Sequence, residues 1–447
     1  MPAPSEHPVA RHLLPMTAEV GPSGSLVVGG VDLVELADEH GTPLFVYDEL
    51  HLRRRCGEAL EVFDEGTAYA TKAFLCKAMA RLAVEEGLRL DVATGGELHV
   101  ALAAGIAGQD LVLHGNNKSG EELALAIGAG VGRIVVDSFD EIDRIDRLMS
   151  ETTQQAGRQT TQQAGWQIGR PERLRVLVRV TPGVEAHTHE FVRTGQEDSK
   201  FGFSIASGAA HEAVSRISAT QTMDLVGIHA HIGSQVFDVG SFAEAAEVIA
   251  PFFVPLGLPE ICVGGGLGVA YLSSETAPSI GEWARVVKES FSRNGVGAGV
   301  RITAEPGRSI VADACLTLYR VGTMKEIPSV RTYVAVDGGM SDNPRPVLYG
   351  SGYEAFLVRE PAAPRPLPVR VVGKHCESGD VLVSDARLPS DVKVGDLLAT
   401  PVTGAYGYSM ASNYNKVPRP AVVFVADGTA RVVVRREDFD DLVRLDV

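Results

Sequence analysis

A lysine, two histidines, a glycine run, a glutamate and a cysteine follow one another in an order that suits one kind of chemistry. Lys72 closes the stretch Tyr69-Ala70-Thr71-Lys72-Ala73. Downstream come His229-Ala230-His231-Ile232-Gly233-Ser234, then Gly264-Gly265-Gly266, then Glu305-Pro306-Gly307-Arg308, and last Cys376-Glu377-Ser378-Gly379-Asp380. Each alone is commonplace. In series they offer an amine for a Schiff base, an imidazole for ring stacking, bare amides for a phosphate, a carboxylate for a pyridinium nitrogen, and a proton donor. That set matches pyridoxal phosphate chemistry.

Each motif also has a plainer reading. A lone lysine after a strand is usually a solvated charge, but Lys72 sits among small and apolar neighbours, where desolvation would favour the free amine. His229 and His231 share a strand face at i, i+2 and so make a rival pair of metal ligands. The sequence Glu305-Pro306-Gly307-Arg308 stands where further acidic ligands would be needed, so His231 and Ser234 read better as a stacking ring and a phosphate hydroxyl, and no metal is expected. The run Gly264 to Gly266, with Gly268, lies between a strand and a helix, where N–H groups are free to wrap an anion. Arg308 has the planar fork that suits phosphate or carboxylate. Arg345, Tyr349 and Tyr406 lie in glycine-rich polar stretches too decorated for simple turns.

Something must bring these scattered residues together. From about residue 66, short runs rich in Val, Ile and Leu alternate with helical patterns. The expected strands are Thr67–Ala70, Leu90–Ala93, Leu111–His114, Arg133–Asp137, Arg175–Val180, Leu225–Ala230, Glu260–Val263 and Arg301–Ala304. Eight such units in series read as an α/β TIM barrel. The chemistry-bearing residues fall at the carboxyl ends of these strands, Asp91 within the second, and that is where barrel enzymes place their sites. Beyond about residue 314 short β segments punctuated by Gly and Pro suggest a C-terminal antiparallel β domain. Ser25–Leu36 and Pro43–Tyr47 also read as strand. The expected division is 1–45 joining the β domain, 46–313 as the barrel and 314–447 as the β domain. A polar segment, 152–159, is repeated almost unchanged at 160–167 and reads as a lengthened surface loop.

The net charge of −16 argues against nucleic-acid or anionic-membrane partners. Five widely spaced cysteines without a CxxC pair read as reduced thiols in a cytoplasmic protein. Residues 1–15 lack a signal-peptide core, and no apolar run is long enough to span a bilayer.

The chain resembles the diaminopimelate decarboxylases, within the fold type III pyridoxal phosphate decarboxylases, from about residue 25 to its end. The most specific stretches are His187–Phe191 with Asp198–Gly202, Asp337–Asp342, Lys374–Asp380 and Ala411–Asn415. The resemblance implies that Lys72 carries the cofactor, His231 stacks on it, and Glu305 pairs with its ring nitrogen. It implies that Asp91, Ser234, Gly264, Gly265, Gly266, Gly307, Arg308 and Tyr406 line the cofactor. Arg308, Arg345, Tyr349, Glu377 and Tyr406 are then the groups for the far end of a meso-diaminopimelate substrate, and Cys376 returns a proton. It also implies a homodimer in which the partner supplies Cys376 and Glu377. The product would be L-lysine. A relative acting on another diamino acid is the alternative; a racemase would need a second base that no tyrosine motif announces, and a non-enzymatic homologue would not keep Lys72, Glu305 and Cys376. Thr94 and Pro344 depart from the usual pattern without removing a chemical group.

Overall fold

The computed structural model describes residues 8–156, 173–184 and 199–447. The second copy of the repeat, the end of the first, and the stretches His187–Phe191 and Asp198 lie outside the described residues. The chain gathers into two units. One comprises Cys56–Gly268 and Pro278–Gly307; the other comprises the chain up to Arg55, Val269–Ala277 and Arg308–Val447.

The first unit is a parallel barrel. Its strands are β1 (Ala68–Ala70), β2 (Arg89–Val92), β3 (Leu111–Leu113), β4 (Arg133–Val136), β5 (Leu174–Thr181), β6 (Met223–His229), β7 (Glu260–Cys262) and β8 (Arg301–Thr303). They lie in sequence order and pair in parallel throughout. The ring closes where Ala68 N–H donates to Ala304 O at 2.9 Å and Ala70 N–H to Pro306 O at 3.1 Å. All eight match the strands expected from the sequence to within two residues at either end. Their apolar content is the reason: Ala68, Val112, Val135, Leu177, Val226 and Cys262, from six different strands, form one buried cluster.

The intervening helices begin at polar caps. Ser119 and Glu122 make a reciprocal capping box on Gly120–Ala129, and Thr94 and Ser279 cap Gly95–Ala103 and Ile280–Arg293. At the amino ends of the strands, Glu260 accepts from Arg133, from Arg301 at 2.8 Å and from Thr303 at 3.2 Å. This ionic knot ties the strand starts together at one mouth, and the strand ends at the other mouth carry the chemistry-bearing residues.

The second unit is a mainly antiparallel sheet. Its long strand Cys315–Ile327 pairs antiparallel with Leu44–Asp48, Leu397–Pro401 and Arg331–Val336. Two pairings are parallel: Arg331–Val336 with Leu367–Val372, and Leu44–Asp48 with Ala421–Ala426. Ser25–Leu36 is not one strand. Leu26–Val28 and Val31–Asp32 form a hairpin in a separate three-stranded sheet, and the helix Leu33–His40 follows. Gly29 and Gly30 turn the chain with φ of 58° and 78°, and the Asp32 carboxylate then caps the helix by accepting from Val34 and Glu35. No helix among the described residues is long and apolar enough to cross a membrane.

Candidate active site

The carboxyl mouth of the barrel is built from interlocked strand ends. Glu305 N–H donates to Gly264 O at 2.7 Å, Val236 N–H to Gly266 O at 2.9 Å, and Gly268 N–H to Val236 O at 2.9 Å. These close approaches require the glycines. A Cβ on Gly265 would lie 2.3 Å from Glu305 O, and one on Gly266 would lie 2.2 Å from Gly233 O. Gly264 and Gly266 also have φ of 66° and 114°. Gly307 is tight as well: a Cβ there would meet the Ala70 carbonyl at 3.0 Å.

Glu305 is the centre of this mouth. It is 7% exposed, and both its oxygens face imidazoles: Oε1 lies 2.9 Å from His114 Nε2, and Oε2 lies 2.9 Å from His229 Nε2. Burial works to raise its pKa, but the charge of His114, with the bonds from both rings, holds the carboxyl well below its usual range. The two rings differ from each other. Burial lowers His229 to about 4, so it is neutral and donates from Nε2, leaving Nδ1 buried without a hydrogen bond. Burial also opposes a proton on His114, but Asp91, 3.7 Å from its Nε2, and Glu305 together raise its pKa. Asp91 itself is pushed up to about 6, chiefly by burial.

The nitrogen and oxygen atoms of His114, His229 and Glu305 all lie within 4.8 Å of one another, close enough to hold an ion. Both carboxylate oxygens are already engaged, however, and the proton on His114 would have to leave before a metal could bind. The group is better described as a carboxylate held by a hydrogen bond from His229 and by the close ion-pair approach of His114.

Lys72 stands on a 3₁₀ turn, Thr71–Ala73, directly after β1. Its neighbours Thr71, Ala73 and Phe74 are buried, and Thr71 Oγ1 donates to Asp91 O at 2.7 Å. Lys72 itself is exposed, contrary to the desolvated lysine expected from its neighbours; the turn carries it outward while fixing its base. Its charge is felt at Asp91, Glu97 and His231. His231 follows β6, and its Nδ1 accepts from Gly265 N–H at 3.3 Å. Burial, and then the Lys72 charge, keep it well below its usual pKa, so the ring is neutral. Ser234 lies partly exposed three residues further on.

The second unit gathers the remaining candidates into two groups. In the first, Arg308 Nη1 donates to Tyr271 OH at 2.7 Å and its guanidinium lies 4.8 Å from the Tyr406 ring. Arg345 Nη1 donates to Tyr353 OH at 3.1 Å, and Tyr349 ends the same short helix, Arg345–Tyr349, partly exposed. In the second group three of the resemblance stretches meet. His375 hydrogen-bonds Ser341 Oγ at 2.8 Å and Asn415 Oδ1 at 3.2 Å, while Asp380 accepts from Met340 N–H at 2.7 Å and His375 N–H at 2.8 Å. Cys376 and Glu377 stand exposed on this braced loop, Glu377 accepting from Tyr414 OH.

A family model described as pyridoxal-dependent decarboxylase, pyridoxal binding domain, matches residues 50–312. The diaminopimelate decarboxylase of Mycobacterium tuberculosis (strain H37Rv) is 48% identical over 443 residues, covering 95% of each chain. That of Bacillus subtilis is 46% identical over 449 residues, covering 96% of this chain and 97% of its own.

The chain belongs to the diaminopimelate decarboxylase family.

Solved structures agree. The M. jannaschii diaminopimelate decarboxylase in complex with L-lysine superposes with a TM-score of 0.86 at 31% identity, over 97% of this chain and 98% of that one. A lysine/ornithine decarboxylase from Vibrio vulnificus, at 21% identity and a TM-score of 0.70, shares the fold alone. Within this diaminopimelate decarboxylase scaffold, sequence reasoning singled out His229 only as a metal rival and did not reach Tyr271, Tyr353 or Arg179. Arg179, on β5, is buried, reaches Asp137 at 3.4 Å and acts electrostatically on His114, His229 and His231. An arginine inside an apolar parallel strand was the available signal, since a buried charge needs partners.

Proposed function

We propose that this chain is a pyridoxal-phosphate-dependent carboxy-lyase that converts meso-2,6-diaminopimelate to L-lysine and carbon dioxide in lysine biosynthesis. The observation that carries this reading is the buried Glu305 carboxylate, held ionised between two imidazoles at the barrel mouth that also bears Lys72 and His231. The side chains fit the cofactor: an accessible amine, a neutral ring, an ionised buried carboxylate and a loop of glycine amides are all at strand ends.

When bound, pyridoxal phosphate supplies a protonated ring that takes up the electron pair left as a carboxylate departs. Lys72 Nζ is the group assigned to hold it. His231 would lie against its face, and Ser234, Gly264, Gly265, Gly266 and Gly307 would serve its phosphate, with Arg308 and Tyr406 assigned to the same end. Glu305, an anion, favours a proton on the ring nitrogen, and Asp91 adds negative charge behind it. Arg308, Arg345, Tyr349, Glu377 and Tyr406 are assigned to the far amino-acid end of the substrate, where a carboxylate and an ammonium need opposite charges. Cys376 Sγ or Lys72 Nζ returns the proton to the carbon that lost its carboxylate.

A homodimer belongs to the same reading, with the exposed Cys376 and Glu377 of one copy serving the other. A barrel over 46–313 and a β domain built from 1–45 and 314–447 is the matching domain scheme. Five free cysteines support a cytoplasmic location.

Meso-diaminopimelate, ornithine, arginine and lysine offered side by side to the cofactor-loaded protein test the substrate. Diaminopimelate alone should release carbon dioxide, with an equal yield of lysine. Turnover of ornithine or arginine at a comparable rate would overturn the assignment, because a site built for charged groups should reject substrates lacking them by about 10⁴-fold.

A further inference from the structure

Two arginines of the second unit are held by phenols. Arg345 is 5% exposed, and among the described residues its side chain meets Tyr353 OH at 3.1 Å, Ser351 Oγ at 3.1 Å and the ring of Tyr271, 4.5 Å from its guanidinium carbon. None of these is a carboxylate. Arg308, 9% exposed, donates to Tyr271 OH at 2.7 Å. One tyrosine therefore serves both cations, its hydroxyl accepting from Arg308 and its ring lying against Arg345. Tyr271 and Tyr353 also pack edge to face, with centroids 5.2 Å apart.

This arrangement is unusual for buried arginine. A buried guanidinium is ordinarily matched by a carboxylate, which satisfies its N–H groups and cancels its charge. A neutral phenol does the first without the second. The ring face adds attraction for a cation without adding net negative charge. The positive charge of Arg345 is thus oriented but left uncompensated.

The loop that carries Tyr271 is fixed in place. Glu275 accepts from the backbone N–H groups of Tyr271 at 2.7 Å and Leu272 at 3.2 Å. Ser273 N–H donates to Glu354 at 2.8 Å, and Gly352 packs so tightly on Leu272 that a Cβ would lie 3.0 Å away. The segment 269–277 is thereby pinned to the segment 351–354 that presents Tyr353.

We infer that Tyr271, assisted by Tyr353, is a positioning residue that aims Arg308 and Arg345 at an anionic group of the substrate while leaving the charge of Arg345 unneutralised. The inference rests on the reading of these arginines as groups for the far end of diaminopimelate. It adds that neutral phenols, rather than an acidic partner of Arg345, set the strength of that subsite.

The test compares ligands with and without the far carboxylate. L-Lysine keeps it; 1,5-diaminopentane lacks it. In Tyr271→Phe holoenzyme, which keeps the ring but loses the hydroxyl, KM for meso-diaminopimelate and the inhibition constant of L-lysine should each rise about tenfold, the loss of one hydrogen bond to a charged group. The inhibition constant of 1,5-diaminopentane should change less than twofold, and kcat should fall less than KM rises. Tyr353→Phe should show the same pattern more weakly, and it serves if Tyr271→Phe fails to fold. Equal weakening of both ligands, or of neither, overturns the inference. If the wild-type enzyme does not decarboxylate diaminopimelate, the substrate reading fails separately. Spectral titration of the holoenzyme with the same two ligands then decides the role of Tyr271, and failure to distinguish them in the wild type counts against it.

Discussion

Two buried glutamates stand at opposite mouths of the barrel, and their partners differ in kind. Glu260 at the amino end is held by Arg133 and Arg301. Glu305 at the carboxyl end is held by His114 and His229. Arginine does not lose its proton in a protein, so the Glu260 knot has one charge state and serves as a lock. Imidazoles can titrate, and here the pKa of one is raised and that of the other lowered, so the same carboxylate chemistry becomes adjustable. Permanent charge marks the structural end of this barrel, and titratable charge marks its working end.

Exchanging each glutamate for glutamine should separate the two roles. Glu260→Gln leaves Arg133 buried with its charge uncompensated, and should cost about 3–5 kcal/mol of stability in denaturant titration, while the protein that remains folded keeps its kcat. Glu305→Gln should fold, bind the cofactor, and lose about 10²–10³-fold in kcat, the usual effect of deleting an electrostatic stabiliser at a reacting centre. An activity loss in Glu260→Gln as deep as in Glu305→Gln would erase the distinction.

A finer contrast lies within the Glu305 triad. The folded pKa of His114 is raised above 6.5, so the stability it contributes is complete below about pH 6.5 and is lost as the pH rises through the folded value. The folded pKa of His229 is depressed to about 4, so its contribution is complete above 6.5 and is lost as the pH falls toward 4. Melting curves of His114→Gln and His229→Gln against wild type, from about pH 5 to 8, should therefore show deficits of opposite trend, the first largest at low pH and the second largest at high pH. Parallel trends would mean that both rings carry the same charge.

The barrel was legible because its strands are largely apolar runs of three to eight residues, each followed by a polar or glycine-rich turn. Lys72, His231, Gly264, Glu305 and the Cys376 loop stand out in the sequence because their order, rather than any one of them, suits a single chemistry. The partnership of His229 and Glu305 was not legible, because it joins β6 to the end of β8 across 76 positions and depends on how the strand ends are turned. Tyr271 escaped notice for a similar reason: a single tyrosine after a glycine run carries no sign that two distant arginines will converge on it. The hairpin and helix within Ser25–Leu36 were misread as strand because the Val and Leu content outweighed two glycines and a capping aspartate.

The most direct test of the account is Lys72→Ala, assayed for two properties of one preparation loaded with pyridoxal phosphate: visible absorbance of the lysine-bound cofactor, and lysine formed from meso-diaminopimelate. The expected result is that both vanish together while the melting temperature stays near that of the wild type, since Lys72 is exposed and its turn is held by buried neighbours. Lysine formation at an undiminished rate in that variant would contradict the account.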